Sequence, residues 1–385
     1  VAAGDPKAIQ QAAEILQAAK MPALLVGHGI NLSGAWEPLQ RIAEAESIPV
    51  ATTLKGKSAF PERHKLSLGV FGFGGQPLAE EYLFSDVDVL VIVGTSLGEF
   101  QTNGWDARLV RDRTIIQIDL DPLEIGKNYP VDLSIVGDAQ SVLDALANAL
   151  SVSSTETPRD TYSVLEQMRA KEPRYYTAEA LQGQAEILKP QAVVAKMNEI
   201  LPPETLLFVD IGHCISWAGR FYEARQTGTV FFAMNTAPMG YSIAAAIGGK
   251  IADPSRPVVA LLGDGAFGMN GLEIHTAVEY QLPIIWIVLN NGGHGMVYSG
   301  EKLLNGKSYL SLYKTPLDIR AIAQSLGARA FQVRNLHEFD ESLRCAFELQ
   351  EPCVIDAVVD LEEVPRSLQL RVDTLNAFFG KQKEV

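Results

Sequence analysis

The sequence predicts an α/β protein made of two doubly wound parallel-sheet domains. Apolar runs of strand length recur along the chain and are separated by segments with helical periodicity, the pattern of parallel sheets covered by helices. This alternation stops once, in a stretch rich in Ser, Thr, Pro and charge, and then restarts. A length of 385 residues is also greater than that of a typical single domain with one hydrophobic core. We therefore place a first domain at 1–150, a linker at 151–189 and a second domain at 190–385.

The first domain opens with an amphipathic helical pattern over residues 6–20, followed by the buried-strand pattern PALLVG. The segments after it continue the alternation: WEPLQRIAEAES as helix, IPVATT as strand, QPLAEEYLF as helix, DVLVIVG and TIIQIDL as strands, and DAQSVLDALANAL as helix. Strands spaced by helices form a parallel sheet with helices on both faces. The first domain is thus predicted to be Rossmann-like.

The second domain repeats this organisation. Its predicted strands are TLLFVD, TVFFAM, PVVALLG, PIIWIVLN, ARAFQV and PCVIDAVVD. Its predicted helices cover residues 191–200, 241–250, 270–280, 317–326 and 337–349. It is likewise predicted to be a parallel α/β layer structure.

Composition excludes several classes of partner and places the protein in the cytoplasm. Acidic residues outnumber basic ones by 46 to 32 without a Lys/Arg cluster, so nucleic acid and anionic membrane surfaces are not expected to bind. The longest apolar runs are too short to span a bilayer. Cys214, Cys345 and Cys353 lack metal-ligand spacing and read as buried thiols in a reducing compartment. The start of the sequence resembles a cut end and not a signal peptide.

The most informative stretch begins with Gly-Asp-Gly at 263–265 and ends with two asparagines at 290–291. Asp264 follows the apolar run PVVALL, and the asparagines follow PIIWIVL. A helical segment of crossover length, expected to begin near Gly268, separates the two runs, so both should end at the ligand-binding edge of a parallel sheet. A carboxylate, an amide oxygen and bare glycine backbone suit a magnesium ion and a diphosphate. The helix would direct its free N–H groups at the anion.

This motif and its flanks resemble the thiamine-diphosphate-dependent enzymes, in particular the acetolactate synthase-like group. Matching pieces are FVDIGHCISW, NTAPMGYSIAAAIGGK and GMVY in the second domain, with IDLDPLEIGKN and VGDAQSVL in the first. The resemblance covers nearly the whole sequence. Proteins of this group have a pyrimidine-binding, a middle and a diphosphate-binding domain. This sequence resembles the last two, so we expect it to be a fragment or a separate subunit that lacks the first.

The resemblance also implies roles for individual residues. The side chains of Asp264 and Asn291 and the backbone oxygen of Gly293 correspond to the magnesium ligands. Met239 corresponds to the wedge that bends the cofactor, and the Ala237 carbonyl to the acceptor of its amino group. The residues expected to line the diphosphate are Ile211, Gly212, His213, Cys214, Gly265, Ala266, His294, Gly295 and Met296.

The activity implied is decarboxylation of a 2-oxo acid followed by ligation of the acyl unit to a second carbonyl compound. Decarboxylation without ligation is the alternative. In this group the glutamate that activates the cofactor lies on the pyrimidine-binding domain, normally of the neighbouring subunit, so the catalytic residue in this chain is unknown. We expect the chain alone to bind the cofactor weakly, if at all, and to have no turnover. The complete protein is expected to be a homodimer or tetramer.

Two departures from the group bear on substrate and flavin. A Trp that narrows the acceptor pocket in acetolactate synthases is replaced by Gly300, which is compatible with a bulkier acceptor. The flavin-binding arginine of the middle domain is missing from the segment 94–100, GTSLGEF. The loop that contains Gly27 and Gly29, with Thr53 and Leu54, remains compatible with FAD or another nucleotide, so flavin binding stays open.

Three rival interpretations follow from the residues. The segment 94–98 satisfies G-x-S-x-G after a strong strand, which suggests a serine hydrolase with Ser96 as nucleophile, although the following residues are poor helix formers. The scattered histidines give no zinc-binding spacing. A non-catalytic protein that has kept the fold and binds the cofactor is the third alternative.

Overall fold

A computed structural model describes residues 2–152, 159–171 and 187–379. The described chain forms two compact units. The first contains the residues up to 171 together with Glu223–Gly228, and the second contains 187–222 and 229–379. Of the predicted linker at 151–189, residues 153–158 and 172–186 lie outside the described residues.

The first unit is built around a six-stranded, all-parallel sheet in the order β3-β2-β1-β4-β5-β6. Its strands are β1 (Pro22–Val26), β2 (Val50–Thr53), β3 (Ser67–Phe71), β4 (Val89–Val93), β5 (Thr114–Asp119) and β6 (Leu133–Val136). Its helices are α1 (Pro6–Ala18), α2 (His28–Ser33), α3 (Trp36–Glu46), α4 (Pro77–Leu83), α5 (Ala139–Val152) and α6 (Thr161–Lys171), with 3-10 turns at Glu99–Gln101 and Ala107–Leu109. The predicted fold class of this unit is confirmed.

Local sequence explains how these elements form. At α1, the Asp5 side chain accepts a hydrogen bond from the amide of Lys7, and Pro6 occupies the first turn, where its missing N–H costs nothing. The buried face of α1 has the helical spacing expected of an amphipathic helix: Ile9, Ala12, Ala13 and Leu16. Strands β1 and β4 are buried along their whole length, as central strands of a parallel sheet are.

Sequence patterns missed four helices and strands of this unit. The short helix α2 begins at His28, within the segment that the sequence suggested to be a glycine loop. Strand β3 contains Gly69 at a positive φ of 81°, which weakens its strand pattern. Strand β6 lies at the sheet edge and alternates in exposure, so it lacks the continuous apolar run of the central strands. Helix α6 falls within the polar stretch assigned to the linker, and only Thr161, Leu165 and Met168 of it are buried.

The second unit contains another six-stranded, all-parallel sheet, in the order β11-β12-β10-β9-β7-β8. Its strands are β7 (Leu206–Val209), β8 (Val230–Phe232), β9 (Val258–Gly263), β10 (Ile284–Asn290), β11 (Arg329–Val333) and β12 (Cys353–Val358). Its helices are α7 (Pro190–Ile200), α8 (His213–Phe221), α9 (Tyr241–Ala252), α10 (Asp264–Asn270), α11 (Ile274–Glu279), α12 (Gly295–Asn305), α13 (Ile319–Ser325), α14 (Leu336–Leu349) and α15 (Arg366–Phe379), with a 3-10 turn at Gly271–Glu273. All six predicted strands are present.

The strand register brings the two ends of the informative stretch together. Gly263, the last residue of β9, pairs with Leu289 of β10, and both strands run in the same direction. Asp264 therefore leaves the sheet beside residues 290–291. Chain order reverses between β7 and β9, so this edge is a topological switch point, where α/β sheets bind ligands.

The crossover between β9 and β10 differs from the expectation. A helix beginning near Gly268 was expected, but α10 begins at Asp264, directly after the strand, and a 3-10 turn links it to α11. The glycine-rich letters GDGAFG resemble a turn, yet Ala266 and Phe267 are 1% and 2% exposed and pack into the core, which favours a helix there.

The Gly27 to Gly29 loop has a structural explanation that does not involve a nucleotide. The amide of Gly29 donates to the Gly94 carbonyl at 3.0 Å. A Cβ on Gly27 would lie 2.4 Å from the Gly94 oxygen, and a Cβ on Gly29 would lie 2.6 Å from the Gly94 Cα. Close packing of two loops after β1 and β4 therefore requires these glycines by itself.

Among the residues described, no helix is both long enough and apolar enough to cross a membrane.

We expect Gly27→Ala to destabilise the first unit, because the new Cβ would overlap the Gly94 carbonyl. The expected loss is about 1–3 kcal/mol in the free energy of unfolding, measured by chemical denaturation. Gly248→Ala is the matched control: it lies within α9 with no heavy atom within 4 Å of the added Cβ, and should be neutral or stabilising by about 0.5–1 kcal/mol. Equal stability of Gly27→Ala and the wild type would contradict the packing argument.

Candidate metal and diphosphate site

A cavity of about 280 Å³ opens at the carboxyl edge of the second unit's sheet. Its walls come from the segments that follow β7, β9, β10 and β12 and from the first residues of α8, α10 and α12. Every residue for which the resemblance implied a cofactor contact lines this cavity: Ile211, Gly212, His213, Cys214, Ala237, Met239, Asp264, Gly265, Ala266, Asn291, Gly293, His294, Gly295 and Met296. The structure thus brings the whole predicted set together, and their individual roles remain predictions.

Asp264 lies on the floor of the cavity and is 2% exposed. One carboxylate oxygen accepts the Gly265 amide at 3.0 Å, and the other accepts the Gly293 amide at 2.8 Å. Burial raises the pKa of this carboxyl to about 7, although these backbone donors act in the opposite direction. A carboxylate buried without a counter-charge is the environment that a bound cation would stabilise.

Asn291 supplies the second oxygen. Its Oδ1 is buried and has no hydrogen-bond partner within the described residues. A buried carbonyl oxygen normally has a partner, so an orphaned one that faces a cavity fits a missing ligand. Gly295 allows this approach, because a Cβ at that position would lie 2.1 Å from Asn291 Nδ2.

Gly293 connects the two groups through its backbone. Its amide binds Asp264, and it forms an antiparallel bridge with Leu312, so the peptide is held from both sides. A Cβ on Gly293 would lie 2.3 Å from the Ser311 oxygen, which excludes a side chain there. The described residues contain no group of three or more His, Cys, Asp or Glu that could hold a metal. A hard cation that takes one carboxylate, one amide oxygen, one backbone oxygen and phosphate oxygens fits this donor set.

Helix ends supply positive potential to the cavity. Helices α8 and α12 begin at its wall, after Gly212 and His294, and neither has a side-chain cap. Gly212 has a φ of 130°, which an L-residue rarely adopts. Free amides of an uncapped first turn bind anions, as in many phosphate sites. Among the described lining residues there is no Lys or Arg, so backbone amides are the principal candidates to hold a diphosphate.

Two lining side chains of α8 are uncharged. Burial lowers the pKa of His213 to about 4, and its Nε2 has no partner in the described structure. Burial also raises the pKa of Cys214 well above its usual value, and its thiol donates to the Asp210 carbonyl at 2.9 Å. Neutral His213 can therefore act as a hydrogen-bond donor, while Cys214 has no thiolate character.

The turn that contains Ala237 and Met239 forms a further part of the cavity wall. Ala237 has a φ of 50°, and Gly240 has a φ of 86° before α9 begins. A Cβ on Gly265 would lie 2.7 Å from His294 Nδ1 and 3.1 Å from Met239 Cε. Glycine at 265 is therefore needed for the Met239 and His294 side chains to approach the same spot.

Sequence reasoning missed Asp210, which organises this wall without lining the cavity. Asp210 is fully buried, and its carboxylate accepts the amides of Ile211, Gly240 and Ser242 at 2.9, 2.9 and 2.8 Å. Burial raises its pKa, against these donors. It thus ties the loop after β7 to the start of α9. A polar residue directly after a buried strand, as at Asp264, was the only sequence signal for it.

A second missed group lies where β12 leaves the sheet. Asp360 and Glu363 line the cavity, and Lys189 pairs with both carboxylates at 2.7 Å. Glu363 also accepts the Gln191 side-chain amide at 2.9 Å. These partners are far apart in sequence, so no local motif could have identified the group.

The serine hydrolase interpretation finds no support in the segment after β4. The next regular element is the 3-10 turn Glu99–Gln101, whereas a nucleophile elbow requires a helix directly after the serine. Ser96 is exposed, and its carbonyl accepts the Asn128 side-chain amide at 2.8 Å. It is best described as a loop residue.

Comparison with known proteins adds an independent line of evidence. Residues 9–146 match the family model described as "Thiamine pyrophosphate enzyme, central domain". Residues 210–357 match the model described as "Thiamine pyrophosphate enzyme, C-terminal TPP binding domain". Together these matches cover all six strands of the first sheet, strands β8 to β11 and most of β12 in the second sheet, and every predicted cofactor-contact residue.

The curated relatives of this chain include acetolactate synthase large subunits. A probable acetolactate synthase large subunit of Methanocaldococcus jannaschii is 34% identical over 94% of this chain and 61% of its own length. The isozyme 3 large subunit of Escherichia coli acetolactate synthase is 31% identical over 96% and 64%, and the Corynebacterium glutamicum large subunit is 32% identical over 91% and 56%. The chain thus spans about three fifths of the length of these relatives. It belongs to the thiamine pyrophosphate enzymes, of which it contains the central and the C-terminal TPP-binding domains.

Proposed function

We propose that the complete protein decarboxylates a 2-oxo acid and ligates the acyl unit to a second carbonyl compound, with thiamine diphosphate and Mg²⁺ bound in the cavity of the second unit. The observation that carries this proposal is the orphaned, buried Oδ1 of Asn291 beside the buried carboxylate of Asp264. The similarity to acetolactate synthase large subunits supports ligation. Decarboxylation alone is the second candidate.

The chain's own residues account for cofactor retention. Asp264, Asn291 and the Gly293 carbonyl would hold the cation, and backbone amides of the uncapped first turns of α8 and α12 would bind the diphosphate. Met239 would contact the cofactor, which when bound would supply the electron sink for decarboxylation. Apolar lining residues such as Trp217, Leu289 and Val297 would exclude water.

Gly300 bears on the acceptor, although it is not among the residues that line the cavity. A Cβ on Gly300 would meet no heavy atom within 4 Å. If Gly300 occupies the position of the family's Trp, this space would allow a bulkier carbonyl acceptor than that of an acetolactate synthase. Product analysis of the complete protein with pyruvate and a panel of aliphatic and aromatic 2-oxo acids and aldehydes would identify donor and acceptor.

We further infer that the complete protein works in the cytoplasm as a homodimer or tetramer. Met269, Leu272 and Tyr280 are 55%, 72% and 67% exposed on the crossover after β9, an apolar surface that assembly would cover. Light scattering that gave only a monomer would contradict the assembly.

We expect Mg²⁺-dependent thiamine diphosphate binding by the complete protein to fall in Asp264→Ala and Asn291→Ala. The expected loss is at least about tenfold, because even outer-shell partners of metals commonly contribute 10–100-fold. Equilibrium dialysis with and without Mg²⁺ measures it. Asn305→Ala, an exposed position at the end of α12, is the control that should bind like the wild type. Unchanged binding in both site variants would contradict the assignment.

We expect the isolated chain, with thiamine diphosphate and Mg²⁺, to release no carbon dioxide from pyruvate. Among the described residues that line the cavity, Glu363 is the one glutamate, and it is engaged by Lys189 and Gln191. It is therefore poorly placed to replace the activating glutamate of a pyrimidine-binding domain. A coupled assay or gas release measures turnover, and sustained turnover would refute the need for a further domain.

A further inference from the structure

The two adjacent asparagines at 290–291 have different environments. Side chains alternate between the faces of a strand, so neighbours at its end point in opposite directions. Asn291 lines the cavity. Asn290, the last residue of β10, is 8% exposed, and its side chain instead faces β12.

Asp356 is the partner of Asn290. It lies on β12, is fully buried, and pairs in register with Val288 of β10 and Gln332 of β11. One carboxylate oxygen accepts Asn290 Nδ2 at 2.9 Å, and the other accepts Gln332 Nε2 at 2.8 Å. The buried carboxylate is thus held between two neutral amides, one on each neighbouring strand.

The polarity of this arrangement fixes the orientation of the Asn290 amide. An ionised carboxylate only accepts hydrogen bonds, so Asn290 must turn its NH₂ group toward Asp356 and its oxygen away. That oxygen accepts the Gly292 amide at 3.2 Å. With the amide reversed, an NH₂ group would face the Gly292 N–H, and the two donors would repel each other.

Gly292 links the oriented Asn290 amide to the candidate metal ligands, because it follows Asn291 and precedes Gly293 in the chain. It has a φ of 81°, and the amide of the next residue, Gly293, donates to Asp264 at 2.8 Å. Asn291 directly precedes these two anchored amides, and its Oδ1 has no hydrogen-bond partner within the described residues. We call the turn at 290–293 the asparagine turn. Asp356 holds its first residue through the Asn290 side chain, and Asp264 holds its last residue through the Gly293 amide.

We propose that Asp356 is a positioning residue for the metal: by orienting the Asn290 amide it holds the asparagine turn so that Asn291 and Gly293 present their oxygens beside Asp264. This inference rests on the proposed function, because it presumes that these oxygens bind a cation. Asp356 itself does not line the cavity and contacts no expected ligand directly.

Gln332 provides a matched control for a purely structural role. It donates to the same carboxylate from the other side, without contact to the asparagine turn. Asp356→Leu removes the acceptor that orients Asn290, whereas Gln332→Leu removes one hydrogen bond from the same buried group and leaves Asn290 paired. A structural role predicts similar effects of both variants on metal affinity, and a positioning role predicts different ones.

The measurement is the Mg²⁺ concentration that half-saturates thiamine diphosphate binding, determined by equilibrium dialysis on protein whose fold is verified by circular dichroism. We expect Asp356→Leu to raise this midpoint about 10-fold or more, in the range of outer-shell metal variants, and Gln332→Leu to change it by less than about threefold. If Asp356→Leu fails to fold, Asn290→Leu breaks the same link from the other end and should give the same shift.

An exchange of the two partners tests the polarity itself. In the double variant Asn290→Asp with Asp356→Asn, the carboxylate at 290 can accept both the Gly292 amide and the new amide at 356, whose oxygen can accept Gln332. The net charge and every donor and acceptor pair are preserved. We expect the Mg²⁺ midpoint of this double variant to lie within about threefold of the wild-type value. If a carboxylate were required at position 356 itself, the midpoint would instead rise as in Asp356→Leu.

The outcomes separate this inference from the proposed function. A complete wild-type protein that binds no thiamine diphosphate at any Mg²⁺ concentration would contradict the proposed function and, with it, this inference. Wild-type binding with equal midpoints in Asp356→Leu and Gln332→Leu would overturn the inference alone, as would a double variant no better than Asp356→Leu. The expected order of midpoints would support both.

Discussion

The second unit depends on one constraint: the Asp264 carboxylate is buried directly after a strand, and in the described part of the chain its hydrogen-bond donors are backbone amides. Such a group is costly to bury unless hydrogen bonds and a positive charge compensate for its lost hydration. The chain provides the hydrogen bonds through Gly265 and Gly293. It leaves room for the positive charge beside the orphaned oxygen of Asn291.

Glycine content around the cavity follows from the same constraint. Gly265, Gly293 and Gly295 each occupy a position where a Cβ would overlap a neighbouring atom at less than 3 Å. Their role is to let backbone amides and polar side chains converge on one spot. Recognition by backbone amides also explains how an acidic protein with no cationic side chain among the described lining residues could bind a diphosphate.

Much of this architecture was predictable because short segments of the sequence show the pattern of the strand or helix that they form. Fully buried parallel strands are continuous apolar runs, and each of those in the second unit was found. The convergence of Asp264 and Asn291 followed from strand direction alone. The predicted start of α10 was wrong. A glycine-rich segment suggests a turn, and the burial of Phe267, which favours a helix, is not known from the sequence. The roles of Asp210 and Asp356 were not predictable, since both depend on partners on neighbouring elements that no local spacing reveals.

The segment after β12 has a consequence of a different kind. Asp360 and Glu363 are paired with Lys189, and Glu362 between them is bound by Tyr298 and Lys302 of α12. The three contacts made by Lys189 and Lys302 are partly exposed ion pairs, whose strength falls as dissolved salt screens the charges. The amide contacts of Asp264 lie out of reach of solvent. An increase in ionic strength would therefore weaken the contacts of the cavity wall formed by Asp360 and Glu363, while the backbone contacts of Asp264 would be unaffected.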